Sequence, residues 1–260
     1  MTGALHGRSL VAVFAHPDDE SLACGGLLAT CADQGMKVSL VCATRGEDGH
    51  DASVASAGAD LATVRTAELA AAADVLGVDA VTMLDFEDGM LPWLDGDDLE
   101  MAIAAAIERW APDVVVTFDE DGLYWHPDHI AVHEATTAAV AAMAEGAPAL
   151  YYASLPDGRM RSLVDAVRSR LPAPDVRVLG VADVDAFGTL APPPDIVLHV
   201  EGRAARKLAA LRCHQTQTGG GPFSVLTDAE AEQWLGVEHL RRAPVGNTHD
   251  RLIEALTEQS

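Results

Sequence analysis

The residues best suited to chemistry stand at positions 16–20, where an apolar run ends in one imidazole and three carboxylates. Residues 11–15 read Val-Ala-Val-Phe-Ala, and the next five read His-Pro-Asp-Asp-Glu. Acidic groups crowded at the end of a strand repel one another unless a positive charge holds them, and a divalent metal ion takes imidazole and carboxylate ligands. This segment therefore predicts half of a metal site, with His16 and one of the two aspartates as ligands.

A second cluster with the same residue types begins at position 126 and reads His-Pro-Asp-His. A hydrolytic zinc site takes about three protein ligands and leaves room for water, whose proton a nearby carboxylate can accept. His129 would complete a ligand set with His16, and His126 would stand over the open face. Asp18 and Asp19 are adjacent, so their side chains diverge, and one can bind the metal while the other faces the substrate.

The elements expected to position these clusters alternate between strand and helix. The patterns predict strands at 9–15, 37–43, 80–84, 113–118 and 149–153, and helices at 20–34, 60–76, 97–110 and 127–144. Strands that alternate with helices of this length form right-handed βαβ units around a parallel sheet. Ligands of such sheets bind beyond the carboxyl ends of the strands, so both clusters are expected at one rim.

The pattern loosens after residue 155, where prolines become frequent. The remaining predicted elements are one strand and two helices, at 196–200, 203–213 and 228–235. We expect a single domain over 1–260, in which 1–153 form the βαβ core and an irregular C-terminal portion, 154–260, completes the pocket. Loops at 44–58, 86–96 and 215–225 are expected to shape the part of the pocket that selects the substrate.

Composition limits the classes of partner and location. The chain has 260 residues and a formal net charge of −23, which repels phosphate backbones, so no nucleic-acid partner is expected. No stretch reaches the roughly 20 consecutive apolar residues of a membrane span, and the first eight residues do not read as a signal peptide. The four cysteines form no C-x-x-C motif, which favours buried reduced thiols and a cytoplasmic location.

The acidity itself has three interpretations that the sequence leaves open. The acids can form an ordinary solvated surface, reflect adaptation to high salt, or create a local field around a cation. The last of these explains only a few of the 40 acidic residues. An excess of acids therefore does not by itself identify a cation site.

Together, the two clusters resemble the motifs of the PIG-L/LmbE-like family of zinc-dependent N-deacetylases. The resemblance is carried by Ala-His-Pro-Asp-Asp-Glu at 15–20 and His-Pro-Asp-His at 126–129. Further similar segments are Thr-Arg-Gly-Glu, Arg-Thr-Ala-Glu-Leu, Asp-Phe-Glu-Asp-Gly and Lys-Leu-Ala-Ala-Leu-Arg-Cys-His-Gln-Thr-Gln, at 44–47, 65–69, 85–89 and 207–217. The family fold is Rossmann-like, so we expect an α/β three-layer sandwich with a mostly parallel sheet.

Carried over by position, the resemblance implies His16, Asp19 and His129 as the ligands of a Zn²⁺ ion. It implies Asp18 as the general base. A set of two histidines and one aspartate also admits other divalent transition metals, so the identity of the metal stays open.

The resemblance also implies roles for five residues around the metal. His126 would stabilise the tetrahedral oxyanion or protonate the departing amine, with Asp128 orienting its ring. Tyr124 matches a mobile tyrosine that can approach the oxyanion. Arg65 and Asp88 match positions that contact the sugar.

The activity that follows is removal of an N-acetyl or N-acyl group from a small amino-sugar substrate by metal-activated water. Two other functions stay open, namely an amidase acting on a larger sugar-linked conjugate and a catalytically inert module that binds a sugar or a metal. A Rossmann-type nucleotide-binding protein is disfavoured, because the turn after the first strand lacks the glycine fingerprint and carries acids that would repel a pyrophosphate. Family members range from monomers to hexamers, so a homo-oligomer is compatible with the resemblance.

Several of these residues also have purely structural interpretations. Asp18 could serve as a helix N-cap, and Arg65 could pair with Glu68 along one helix. His133 stands four residues after His129, a chelating spacing, although the family pattern favours a packing role for it. The aromatic residues Trp93, Trp125 and Phe223 could form an apolar wall for a large substrate or be ordinary loop residues.

Overall fold

The computed structural model of this protein describes residues 5–49, 60–143, 146–172, 176–189 and 192–257. The strands in these ranges are β1 Ser9–Phe14, β2 Lys37–Thr44, β3 Ala80–Phe86, β4 Val114–Phe118, β5 Ala149–Ser154, β6 Ile196–His199 and β7 Val237–Gly246. The longer helices are α1 Asp19–Asp33, α2 Leu61–Leu76, α3 Asp98–Trp110, α4 Pro127–Ala142, α5 Arg159–Val167, α6 Glu201–Cys213, α7 Asp228–Leu235 and α8 Leu252–Thr257. Short helical turns lie at Leu91–Trp93, Gly122–Trp125, Arg168–Arg170, Val184–Ala186, Gln215–Thr218 and Pro222–Val225.

The strands form one sheet in the order β3-β2-β1-β4-β5-β7-β6. β1 to β5 are parallel, whereas β7 is antiparallel to both of its neighbours. Helices α1, α2, α6 and α7 pack together as one group, and α3 packs on α4. The central strand β1 is buried from Leu10 to Phe14, as expected for a strand covered on both faces. The predicted three-layer α/β fold with a mostly parallel sheet is confirmed.

The predicted elements match the observed ones to within two residues at each end. Part of the predicted loop at 44–58 and the end of the predicted helix at 127–144 lie outside the described residues. The described part of the chain contains no helix that is both long enough and apolar enough to cross a membrane. The cysteines at 24, 31 and 42 are free and buried, as predicted, while Cys213 is partly exposed.

The C-terminal portion is more regular than the sequence suggested. Strand β7 and the helices α5 and α8 were not predicted, and β7 lies inside the sheet between β5 and β6. Its sequence, Val-Glu-His-Leu-Arg-Arg-Ala-Pro-Val-Gly, carries charges and a proline, which argue against a central strand. The charges are tolerated because they are paired, Arg241 with Asp119 and Glu238 with Lys207.

Helix α1 carries the first cluster and is anchored deep in the protein. It departs from helical geometry at Cys24, and after this break the Glu238 carboxylate accepts the backbone N–H groups of Gly26 and Leu27, each at 2.7 Å. A Cβ atom at Gly26 would lie 2.5 Å from Val200, so only glycine allows this close approach. Helix α1, whose first turn carries the acidic residues, is therefore anchored to the C-terminal portion through Glu238.

Candidate active site

The two predicted clusters meet at the carboxyl ends of β1 and β4. His16 Nδ1 lies 3.0 Å from His129 Nε2, and the Asp19 carboxylate lies 3.5 Å from the first of these nitrogens and 3.2 Å from the second. His129 and Asp19 are almost fully buried, and His16 is 6% exposed. The structure therefore brings together the three side chains that the resemblance implies as metal ligands, although 113 residues separate the histidines in sequence.

The hydrogen bonds of the two imidazoles determine which nitrogens face each other. His129 Nδ1 lies 3.0 Å from the Gly122 carbonyl oxygen and so carries the proton, which leaves the lone pair on Nε2. His16 Nε2 lies 2.9 Å from Asp88 and 3.2 Å from Asp128, so the proton of this ring sits on that nitrogen. In the neutral form of His16 the two lone pairs point at each other across 3.0 Å, an arrangement that a positive charge between them, a proton or a metal ion, stabilises.

This arrangement fits a divalent metal ion. Two ligands bound at about 2.1 Å in a tetrahedral site lie roughly 3.4 Å apart, close to the distances observed among His16, Asp19 and His129. Burial lowers the pKa of His129 to about 3, so its ring is neutral, as a ligand must be. Burial also acts to lower the pKa of His16, yet hydrogen bonds to three carboxylates raise it well above its usual range. The cluster thus attracts a positive charge.

Asp128 and Asp88 hold the outer nitrogen of His16. The Asp128 carboxylate also accepts the backbone N–H groups of Gly89, at 2.8 Å, and Leu91, at 3.2 Å. The described contacts of this carboxylate do not include the His126 ring, which Asp128 is expected to orient. Instead the backbone N–H of Asp128 donates to His126 Nδ1 at 3.2 Å. Carboxylates in such positions fix the tautomer and orientation of a metal-binding histidine.

Asp18 occupies a strained backbone position beside the ligands. Its φ angle is 124°, a conformation that residues with a side chain rarely adopt and that costs about 1–3 kcal/mol. It makes no side-chain capping bond to α1, so the N-cap interpretation does not account for it. Burial raises the pKa of Asp18 to about 7, against the opposing effect of the Arg65 guanidinium. Such a pKa suits a group that accepts and returns a proton near neutral pH.

Arg65 is buried and holds Asp18 in place. Its Nη2 donates to the Asp18 carboxylate at 3.2 Å and to the Pro17 carbonyl at 2.7 Å, and its Nη1 donates to the Gly46 carbonyl at 2.8 Å. A Cβ atom at Gly46 would lie 2.3 Å from Nη1, so this glycine is needed for the approach. The alternative pair of Arg65 with Glu68 along the helix is not seen, and the Glu68 carboxylate accepts from Thr216 instead.

His126 and Tyr124 line the same opening. His126 Nδ1 accepts the N–H of Asp128 and caps α4, so the ring is a structural helix start as well as a pocket residue. Its other nitrogen, Nε2, then carries the proton and can donate. Tyr124 follows Leu123, whose φ is 66°, and its ring packs edge-on against His129 with ring centroids 5.0 Å apart.

The opening above the ligands is a pocket of about 380 Å³. Its lining comprises His16, Asp18, Asp48, Gly49, Arg65, Asp88, Gly89, Tyr124, His126, Leu179, Gly180, Val181 and Gln217. Of the two interpretations of Trp93, Trp125 and Phe223, the apolar wall is not seen among the described lining residues, since Phe223 is buried in the core and neither tryptophan lines the pocket. His133 lies outside the cluster, with Nδ1 2.9 Å from the Phe118 carbonyl oxygen, consistent with a packing role.

One buried polar pair was not predicted from the sequence. Glu20 and His214 are fully buried, and Glu20 Oε1 lies 2.9 Å from His214 Nε2. Both stand inside segments that carry the family resemblance, which is the signal that could have marked them. The two are 194 residues apart in sequence, so no local pattern could have paired them.

Comparisons with known proteins show which family this chain belongs to. Residues 11–140 match the family model described as PIG-L: GlcNAc-PI de-N-acetylase. A protein of Acidothermus cellulolyticus, named 1D-myo-inositol 2-acetamido-2-deoxy-alpha-D-glucopyranoside deacetylase, is 36% identical over 257 residues, covering 89% of this chain and 87% of its own. The chain belongs to the PIG-L family. The resemblance seen in its motifs is therefore confirmed.

The solved structures that resemble this PIG-L family member are named for more than one reaction. The N,N'-diacetylchitobiose deacetylase of Pyrococcus horikoshii is similar, with a TM-score of 0.63 and 19% identity, over 91% of this chain and 84% of that one. The 4-carboxy-2-hydroxymuconate hydratase GalB of Pseudomonas putida has a TM-score of 0.62 and 20% identity, over 94% and 99%. At such identities the likeness shows the fold alone, so the reaction has to be argued from the site.

Proposed function

We propose that this protein is a metal-dependent N-deacetylase that hydrolyses the acetamido group of an N-acetylated amino sugar. The observation that carries the proposal is the placement of Asp18. It lies at the wall of an open pocket, beside the His16, Asp19 and His129 cluster. A relative with 36% identity is named as a deacetylase of an acetylated glucosaminyl inositol, which supports the same chemistry.

We propose His16, Asp19 and His129 as the ligands of a Zn²⁺ ion. Two imidazole nitrogens and one carboxylate suit zinc, and a three-residue set leaves a position for water or substrate. A bound divalent ion supplies Lewis acidity, which polarises the amide carbonyl and lowers the pKa of water. Asp88 and Asp128 keep the proton of His16 on Nε2, so that Nδ1 stays available as a ligand atom.

The protein's own groups then handle the protons. Asp18 takes the proton of the attacking water, and Arg65 keeps its carboxylate aimed at the pocket. His126 is neutral, since burial lowers its pKa, and its Nε2–H donates to the carbonyl oxygen as negative charge develops there. The neutral ring favours the oxyanion role over protonation of the amine. Asp18 then returns its proton to the departing nitrogen, and Tyr124 lines the same side of the pocket.

We also propose that the whole chain works as one unit at this site. The C-terminal portion adds β6 and β7 to the sheet and contributes Leu179 to Val181 and Gln217 to the pocket. The sugar would lie against these residues and against Arg65 and Asp88. The buried free cysteines support the expected reducing, cytoplasmic location.

The test is a screen of N-acetylated amino sugars that follows release of free amine, with metal content measured in parallel. We expect the protein as purified to release amine, a chelator to abolish the release, and Zn²⁺ to restore it. His129→Gln should lose bound metal and activity together. His133→Gln, four residues along the same helix, should keep both. An absence of amine release from every acetylated sugar, with metal bound, would overturn the proposal and favour the inert-module or larger-conjugate alternatives.

A further inference from the structure

Glu20, a buried acid that contacts Asp18, is paired with a buried histidine, His214. Glu20 Oε1 accepts the Ser21 hydroxyl at 2.5 Å and lies 2.9 Å from His214 Nε2. His214 Nδ1 has no hydrogen-bond partner within the described residues, so the polar contacts of this ring run through Nε2. The ring is thus directed at Glu20, and its Nε2–H donates to that carboxylate.

The other oxygen of Glu20 reaches Asp18. Glu20 Oε2 accepts the backbone N–H of Asp18 at 3.1 Å, at the residue whose φ is 124°. A strained conformation persists only when the surrounding structure over-determines it. Arg65 holds the Asp18 carboxylate, and Glu20 holds the Asp18 backbone N–H. One carboxylate therefore joins His214 to Asp18.

The segment that carries His214 is also fastened at a second, separate point. The Thr216 N–H and hydroxyl donate to the Glu68 carboxylate at 2.8 and 2.6 Å. This anchor holds the same turn but makes no contact with Glu20. Loss of the Glu68 anchor therefore disturbs the segment without breaking the link to Asp18, which makes it a matched control.

We propose that His214, acting through Glu20, is a positioning residue for Asp18 in the deacetylation reaction. This inference rests on the proposed function. Without the donor from His214, Glu20 turns toward other partners, and the backbone of Asp18 relaxes from its strained conformation. The carboxylate then moves away from the water that it must deprotonate. A displacement of about 1 Å at such a group costs up to roughly 100-fold in rate.

The test compares His214→Leu, His214→Gln and Glu68→Gln by steady-state kinetics and metal analysis. Leucine removes the donor to Glu20, so we expect kcat to fall about 10- to 100-fold at unchanged KM and unchanged metal content. The glutamine amide can still donate to Glu20, so His214→Gln should keep more of kcat than His214→Leu. Glu68→Gln should keep kcat.

The outcomes separate this inference from a merely structural role and from the proposed function itself. A His214→Leu enzyme with parental kcat would overturn the inference, as would a loss of kcat that tracks loss of metal or an equal loss in Glu68→Gln. If His214→Leu does not fold, His214→Ala carries the test, because it also removes the donor to Glu20, and full kcat in that variant would overturn the inference. A wild-type protein that releases no amine would instead contradict the proposed function.

Discussion

Asp18 combines three properties that rarely occur together in one side chain. It is buried, its backbone is strained, and its carboxylate faces both an arginine and an open pocket. Strain of this kind is costly and clusters at functional positions, so its presence is a reason to look for chemistry there. The neighbouring Asp19 points inward to the two histidines, as the divergence of adjacent side chains predicted.

Replacing Asp18 by asparagine should separate proton transfer from metal binding. The amide keeps the size of the side chain and can still contact Arg65, but it cannot accept the proton of the attacking water. We expect kcat to fall by about 10²- to 10⁴-fold, while metal content stays at the parental level because His16, Asp19 and His129 are untouched. Kinetics together with metal analysis of the same preparation measures both. Deacetylation at the parental rate would show that Asp18 is not the base.

Helix α1 shows how the site is held by distant elements. It departs from helical geometry at Cys24, and just after this break Glu238 of β7 accepts the backbone N–H groups of Gly26 and Leu27. Lys207 of α6 neutralises this carboxylate at 2.6 Å, and both side chains are almost fully buried. A buried charge without its partner is strongly destabilising, so these two residues act as a unit.

Replacing Lys207 by methionine should therefore destabilise the fold far more than the loss of a surface pair. The variant leaves Glu238 charged and buried without its partner, and we expect the free energy of unfolding to fall by about 3–5 kcal/mol. Arg161→Ala is the matched control, because its pair with Asp185 is exposed and screened by solvent, so its loss should change the stability little. Urea denaturation of both variants measures the difference. Equal losses would show that the buried pair is not important for α1.

The pocket, like the whole protein, carries more acidic than basic side chains. Arg65 is the only lysine or arginine among the described lining residues, and it is committed to Asp18 and two carbonyl groups. The lining also includes the acids Asp18, Asp48 and Asp88. The segments outside the described residues contain neither lysine nor arginine. With a net charge of −23 around it, such a pocket favours a neutral sugar over an anionic one.

We therefore expect a phosphorylated substrate to be handled poorly. At low ionic strength, kcat/KM for N-acetylglucosamine 6-phosphate should be at least about tenfold below that for N-acetylglucosamine, and added salt should narrow the gap because it screens the repulsion. Parallel assays of the two sugars over a range of salt concentrations test this. A preference for the phosphorylated sugar, or a ratio that does not respond to salt, would mean that the pocket does not select by charge.

Much of this protein could be predicted from residues close together in sequence. The alternation of apolar strands and alanine-rich helices established the parallel core, since that pattern reflects local burial on each face. The motifs at 16–20 and 126–129 predicted a cluster of histidines and aspartates, and strand ends in such a sheet share one rim. Strand β7, which lies between β5 and β6, was not predicted, because its charged residues can be buried only when partners such as Asp119 and Lys207 lie beside them.

Only the tertiary structure decided which polar groups form hydrogen bonds with each other. Asp128 turned out to hold His16 with its carboxylate and His126 with its backbone N–H, and Glu20 met His214 across most of the chain. The shape and charge of the pocket likewise depend on loops that approach one another only after the sheet has formed. A hydrogen bond is decided by distance and direction in space, and neither is encoded in the order of residues along any one segment.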